Sequence, residues 1–437
     1  MADEDPIQSS NDENCCYVMD INMIIVNLKN DMKTIIGVIL FFFSGIMVYS
    51  QKLPAWEEGM MDIHHINTGR GDASFLIFPD GTTLLIDAGD MSETNPRTLS
   101  DRNTPIIPDN SHTAPEWIVK YIRTFHPLQE HASIDYALVT HYHSDHYGQV
   151  DNLRKDPGNG YKLTGITEVG HHLKIRHLID RGFDDSISEA FIRRSPTLAN
   201  FLKFIDYQSE NSGIQHWNFE VGSSQQFTLL RNPGKYPDFE VRNIYCAGKI
   251  WEGYSSDNYF FALLEGQYHG ENNSSAGIRI TYGLFNYFNG GDISGVDNEG
   301  YFPPNSMEAQ AAPVIGPVDI ATLNHHGNRD SQCPAYVRAI RPRVWVVQNW
   351  TSDQPGDGVL RRITSQKLYP GARDVFATSI LDATKNVIGS LVDKTIISET
   401  GHIVIRVYQG GNDYALFVLD DSGGEYDILL QNEYGSR

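Results

Sequence analysis

From residue 60 the apolar positions fall into short runs that predict strands: "MDIHHIN" at 61–67, "ASFLIF" at 73–78 and "TTLLIDA" at 82–88. A "PDG" turn at 79–81 joins the second to the third, as in a meander. Residues 91–113 are polar, carry Pro105 and Pro108, and read as a loop. In "APEWIVKYIRTF" (114–125), Trp117, Ile118, Tyr121, Ile122 and Phe125 share one side of a helix. "IDYALVT" (134–140) is a buried strand, "YGQVDNL" (147–153) opens a helix, "GITEVG" (165–170) is a short strand, and 171–180 is helical by apolar spacing. Residues 182–265 are less regular and read as an insertion plus the start of a second sheet. Clear β signal returns at 276–283, 284–292, 318–327 and 343–349, with "CPAYVRAI" (333–340) as an intervening helix. "HIVIRVY" and "DYALFVL", separated by a Gly-Gly-Asn turn, form a closing hairpin. No fixed-period repeat is present. This order suits two β-rich halves pressed together with helices outside better than a doubly wound parallel sheet.

The 437 residues, 40% hydrophobic, suffice for a large core and exclude a small disulfide-stapled scaffold. Residues 1–50 read as an N-terminal extension with a leader, and 51–437 as a single domain. "MKTIIGVILFFFSGIMVYSQ" (32–51) has the layout of a secretory leader, with translation starting at Met32 and cleavage after Ser50; the alternative is a single N-terminal anchor. Either places the domain outside the cytoplasm, secreted or periplasmic. Cys15 and Cys16 precede the leader. That leaves Cys246 and Cys333, either paired or as two buried thiols.

Net charge is -21. Seven of the 55 acids and two of the 34 bases fall in the first fifty residues, which leaves 48 acids against 32 bases. With no basic cluster, the composition argues against nucleic acid as a partner.

Chemistry concentrates in "THYHSDHYGQV" (140–150), where His141, His143, Asp145 and His146 follow a buried strand. Imidazole nitrogen and carboxylate oxygen are the donors that borderline divalent ions such as zinc take. These four are too few for two ions. Asp292 in "NYFNGGDIS" is a further donor whose two oxygens suit a bridge, and "NHHG" (324–327) contributes either His325 or His326. His64, His65, His171 and His172 lack such context; "EVGHH" (168–172) reads as a helix start or solvated face.

"INTGRGDASFLIFPDGTTLLIDAGD", "THYHSDHYG", "NGGDIS" and "LNHHG" together resemble the metallo-beta-lactamase superfamily, in particular the branch of the competence DNA-uptake hydrolase domain and the phosphorylcholine esterases. The resemblance spans about residues 60–410. It implies a four-layer αββα sandwich of two mixed β-sheets flanked by helices, with two divalent metal ions at the edge between the sheets. Zinc is the default, with manganese or iron as alternatives. Ligation carries over to His141 and His143 for one ion, Asp145 and His146 for the other, Asp292 as the bridge and His325 for the second ion. Asp87 follows as a supporting acid near the site. The fullest family pattern has one more histidine, which His177, His216 and His269 do not match. The first ion would then have three protein groups and solvent, and use of a single ion stays open.

The implied activity is extracytoplasmic hydrolysis by a metal-bridging hydroxide, with Asp145 as a ligand that also steers it. The substrate expected from the branch is a small-molecule or cell-surface phosphodiester or related ester, with Arg279, Asn324, Asn328 and Arg329 as candidate contacts. A nuclease, lactonase or beta-lactamase of the same fold, or a non-catalytic metal-containing binding protein, are the alternatives. Tyr142 and the aromatics of 245–290 are core residues or a cleft wall.

Overall fold

The computed structural model describes residues 51–182, 194–255, 258–261, 270–296 and 300–437; the leader stretch before residue 51, Cys15, Cys16 and His269 lie outside them. Among the described residues the strands are β1 (Met61–His65), β2 (Ser74–Ile77), β3 (Thr83–Ile86), β4 (Ile134–Val139), β5 (Ile175–Asp180), β6 (Gln215–Asn218), β7 (Phe239–Cys246), β8 (Lys249–Trp251) and β9 (Tyr259–Phe261). Then follow β10 (Gly277–Tyr282), β11 (Phe285–Asn289), β12 (Ile320–Thr322), β13 (Val344–Val347), β14 (Asp374–Ala377), β15 (Ile396–Ser398), β16 (His402–Val407), β17 (Asp413–Leu419) and β18 (Ile428–Gly435). They make two sheets, ordered β18-β17-β16-β1-β2-β3-β4-β5-β6 and β15-β14-β13-β12-β11-β10-β7-β8-β9. Both sheets are mixed. β3 to β6 run parallel in the first and β11 to β15 in the second, with antiparallel partners beyond.

Alternation along the strands sorts the apolar side chains into three layers of core. Met61, Ile63, Leu76, Leu84, Ile86 and Leu138 meet Ile278, Ile280, Tyr287, Ile320 and Val344 between the sheets. Phe75, Leu85, Ala137 and Val139 point the other way, onto helices α1 (Ala114–Phe125), α2 (Ser144–Tyr147), α3 (Gly165–His172) and α4 (Pro196–Asn211). Phe288, Ala321, Trp345 and Val375 cover the outer face of the second sheet with α5 (Met307–Ile315), α6 (Pro334–Ile340) and α7 (Asp357–Ile363). A strand with period-two side chains buried on both faces needs cover on each, and this arrangement supplies it. The result is the αββα sandwich.

Three local expectations change. Residues 165–170 belong to α3, not a strand: Ile166 and Val169 are one helical turn apart in the core, and Thr164 and Thr167 close a capping box at its start. Residues 175–180 are strand rather than helix: they pair with β4 and β6, and Leu178 faces the helices while its neighbour Ile179 faces the second sheet. The helix expected over 147–153 does not form: Tyr147 is the last residue of the one-turn α2, which is capped at Gly148 with φ 108°. Cys246 and Cys333 are both free and buried, in different cores.

Candidate metal centre

Functional side chains leave from the carboxyl ends of parallel strands, the edge where open α/β sheets place ligands. Asp87 follows β3, His141 follows β4, Asp292 follows β11, and the 324–327 loop follows β12. A backbone bond from the Ala276 N–H to the Thr140 carbonyl (2.9 Å) and another from the His325 N–H to the Gly291 carbonyl (3.1 Å) tie these ends together.

Asp87 holds a left-handed backbone (φ 60°), an uncommon state for a non-glycine residue. Its carboxylate accepts from the Thr140 N–H (2.8 Å) and hydroxyl (2.7 Å), and lies 2.8 Å from His146 Nδ1. A carboxylate accepts only, so His146 carries a proton on Nδ1, and Nε2 is the atom left to face a metal ion. His326 repeats the logic, with Nδ1 3.0 Å from both Asp72 Oδ1 and the Gln348 carbonyl. His141 Nδ1 lies 3.2 Å from the Thr140 hydroxyl, whose proton is given to Asp87.

Three Nε2 atoms converge on Asp292 Oδ2, at 3.7 Å (His141), 3.2 Å (His146) and 3.4 Å (His326). His146 Nε2 and His326 Nε2 face each other at 3.3 Å, and His143 Nδ1 is 3.2 Å from His141 Nε2. Asp145 Oδ2 is 3.1 Å from His326 Nε2 and accepts from the Trp350 indole at 2.8 Å. Two groups offer ligand atoms within 4.8 Å of one another: Asp72, His146 and His326, and His141, His146 and Asp292. Lone pairs aimed at common points repel unless a cation sits between them, so this donor set fits a pair of metal ions. His141, His146, Asp292 and His326 are buried, while His143, Asp145 and Asp72 are half-buried and open the cluster to solvent.

The field in the cluster is that of a cation site. Burial alone would lower the His146 pKa, but the Asp292 and Asp87 carboxylates outweigh it and hold it well above the usual value. Burial would likewise raise Asp292, yet His146, His326 and His141 hold it well below the carboxylate range. His141 is pushed well below its ordinary value by burial and by the neighbouring His146.

His141, His143, Asp145, His146, Asp292 and Asp87 are brought together. His325 is not: its Nδ1 lies 2.8 Å from Asp330 and its Nε2 3.2 Å from the Asn272 amide, and His326 occupies the place expected for it. Both residues have positive φ (48° and 52°), so the backbone turns left-handed here and throws successive rings in different directions. Asn324 is buried and spends its amide on Glu308 (2.8 Å), and Arg279 is taken by Asn286 (2.8 Å) and the Ile315 carbonyl (2.7 Å), so neither is offered to a substrate. Asn328 accepts from the Arg329 N–H, and Arg329 is exposed. His177 stacks on Trp217 and His216 pairs with Asp180 (2.9 Å), each in or beside a strand, as the lack of a matching motif implied. Asp72 and Trp350 escaped the sequence reading, although Asp72 sits inside the glycine-flanked "GRGDAS" run. Ser275, whose hydroxyl accepts the Asp292 N–H at 3.0 Å, was missed for the same reason: its role depends on a chain-distant partner.

The chain belongs to the metallo-beta-lactamase superfamily, whose sequence profile matches residues 67–349. Fold and clustered histidine and aspartate donors define a member of that superfamily with a candidate two-metal site. No curated protein matches the chain. Among solved structures it is similar to a mutant of the CmlA beta-hydroxylase (15% identity, TM-score 0.36), covering 82% of this chain and 55% of that one. The chain thus spans about half the length of that hydroxylase. It is similar also to zinc-bound PqqB from Methylobacterium extorquens (12% identity, TM-score 0.30, 65% of this chain and 88% of that one). The human short-form tRNase Z aligns at 13% identity and TM-score 0.24, over 60% of this chain and 77% of that one.

Proposed function

We propose that the protein hydrolyses a phosphodiester or a related ester outside the cytoplasm, with His141, His143, Asp145, His146, Asp292 and His326 holding two ions, zinc by default. The observation that carries this is the convergence of three Nε2 atoms on Asp292 Oδ2 while their Nδ1 atoms are engaged elsewhere. Ions of this kind acidify a water molecule and offset charge growing on the substrate oxygen. The residues do the remaining work. Asp87 fixes the His146 tautomer, and Asp72 with the Gln348 carbonyl does so for His326. Asp145, oriented by the Trp350 indole, steers the attacking water.

A cavity of about 560 Å³ lies beside the His326 loop, and Arg329 and Arg102 line it with Ser352, Asp353 and Pro355. It backs onto the His326 loop through the Gly356 N–H to Gly327 carbonyl bond (2.9 Å). Its two guanidinium groups, offset by the carboxylates of Asp353 and Asp357, offer donors that phosphate oxygens could accept from. No helix among the described residues is long and apolar enough to cross a membrane; placement outside the cytoplasm rests on the leader alone.

Elemental analysis of the purified protein, combined with phosphodiester, lactone and cephalosporin reporters, tests the reading. Turnover of the phosphodiester, abolished by chelator and restored by zinc, is expected. Turnover of the lactone or cephalosporin alone would replace the substrate class. Full metal content with no turnover of any reporter would leave a binding protein.

A further inference from the structure

A second group of ligating side chains shares no residue with the centre described above. One donor atom from each of Glu116, Glu168 and His172 lies within 4.8 Å of the other two. Glu168 and His172 are four residues apart on α3 and so face the same way. Glu116 stands in the first turn of α1, which packs against α3. Its carboxylate is fixed before any ligand arrives: Oε2 accepts from the Thr113 N–H at 3.0 Å in the capping box and lies 3.4 Å from His112 Nδ1.

Glu168 makes the cluster more than an acidic patch. The residue is 2% exposed; the Thr113 hydroxyl bonds to its carboxylate, but Oε2 is buried with no hydrogen-bond partner of its own. A buried carboxylate oxygen without a partner is costly, and this one sits beside a second carboxylate. Burial, then the charges of Asp90 and Glu116, push its pKa up to about 7. His172 is exposed, which gives an ion a way in. Two carboxylates and an imidazole are the donor mix of zinc and its neighbours, whereas calcium and magnesium favour all-oxygen sites.

We infer that Glu116, Glu168 and His172 form a second metal site, taking a divalent transition ion such as zinc and fastening α3 to α1. The ion would satisfy Glu168 Oε2 and cancel the repulsion between the two glutamates. Because α3 follows the loop that leaves α2, the site braces the helical layer beneath the metal centre without touching its ligands.

The test is zinc stoichiometry by equilibrium dialysis of the full chain against zinc, followed by elemental analysis, for the parent, Glu168→Gln and His172→Ala. Each variant should carry one equivalent less than the parent and lose part of the rise in thermal midpoint that zinc produces. His172 is exposed, so its replacement leaves the fold intact even if the change at Glu168 does not. Equal zinc content in the parent and His172→Ala would overturn the inference.

Discussion

His325 and His326 are adjacent and identical, yet one faces Asp330 and Asn272 while the other faces Asp292. Side-chain type alone cannot separate them; the left-handed backbone does. We predict that His326→Ala loses metal and activity while His325→Ala keeps its zinc, measured by elemental analysis and reporter rates. Asp87→Asn, which disturbs the tautomer of His146 and the Thr140 contact behind His141, should cost about 10- to 100-fold in metal affinity or rate. Asp292→Ala should cost more, since it removes the oxygen on which three imidazoles converge. Parental metal content and rate in Asp292→Ala would refute the centre. The residue types of the early cluster were legible because four donors lie within six positions after an apolar strand. Asp72 and Trp350 were not, since each acts on a residue far along the chain.

Among the elements, the one-turn helix α2 presents Asp145 and His146 only because neighbouring loops leave it room. A Cβ on Gly89 would stand 2.2 Å from the Asp145 carbonyl oxygen, and one on Gly71 2.1 Å from it. Backbone, not a movable side chain, occupies that space. Gly89→Ala should therefore lower stability by roughly 1–3 kcal/mol and weaken zinc binding by displacing α2; an unchanged thermal midpoint and zinc affinity would show that the loop yields freely. Long strands and the helix at 114–125 could be read from periodicity. The exchange of strand and helix between 165 and 180 could not. Its apolar runs are short, and the choice was made by what they pack on: Gly170 lies so close to the Phe204 ring that a Cβ there would be 2.5 Å from it.

Across the molecule, three cores bury acids as well as apolar groups. Burial first of all pushes Glu308 and Glu168 up to about 7 and Asp319 up to about 6, from ordinary values of 4.5, 4.5 and 3.8. A raised folded pKa means the folded chain keeps a proton that the unfolded chain has already released. The stabilising contribution is thus complete below the unfolded value and is lost as pH rises through the folded one. For Glu168 the window runs from 4.5 to about 7, on the order of 3 kcal/mol in all. In chelator, Glu168→Gln should gain stability over the parent as pH rises from about 5 to about 8, by denaturant unfolding; a pH-independent difference would contradict the burial argument.

Donor types, their placement after buried strands and two β-rich halves with helices outside are written into the chain itself, because period-two runs and tight ligand spacing are local properties. Which histidine of the late pair turns inward, which asparagines and arginines are spent on the scaffold, and that Glu116 meets Glu168 and His172 were settled by the folded arrangement alone. Each depends on where backbone direction and packing bring residues far apart in the chain, and no local pattern encodes that.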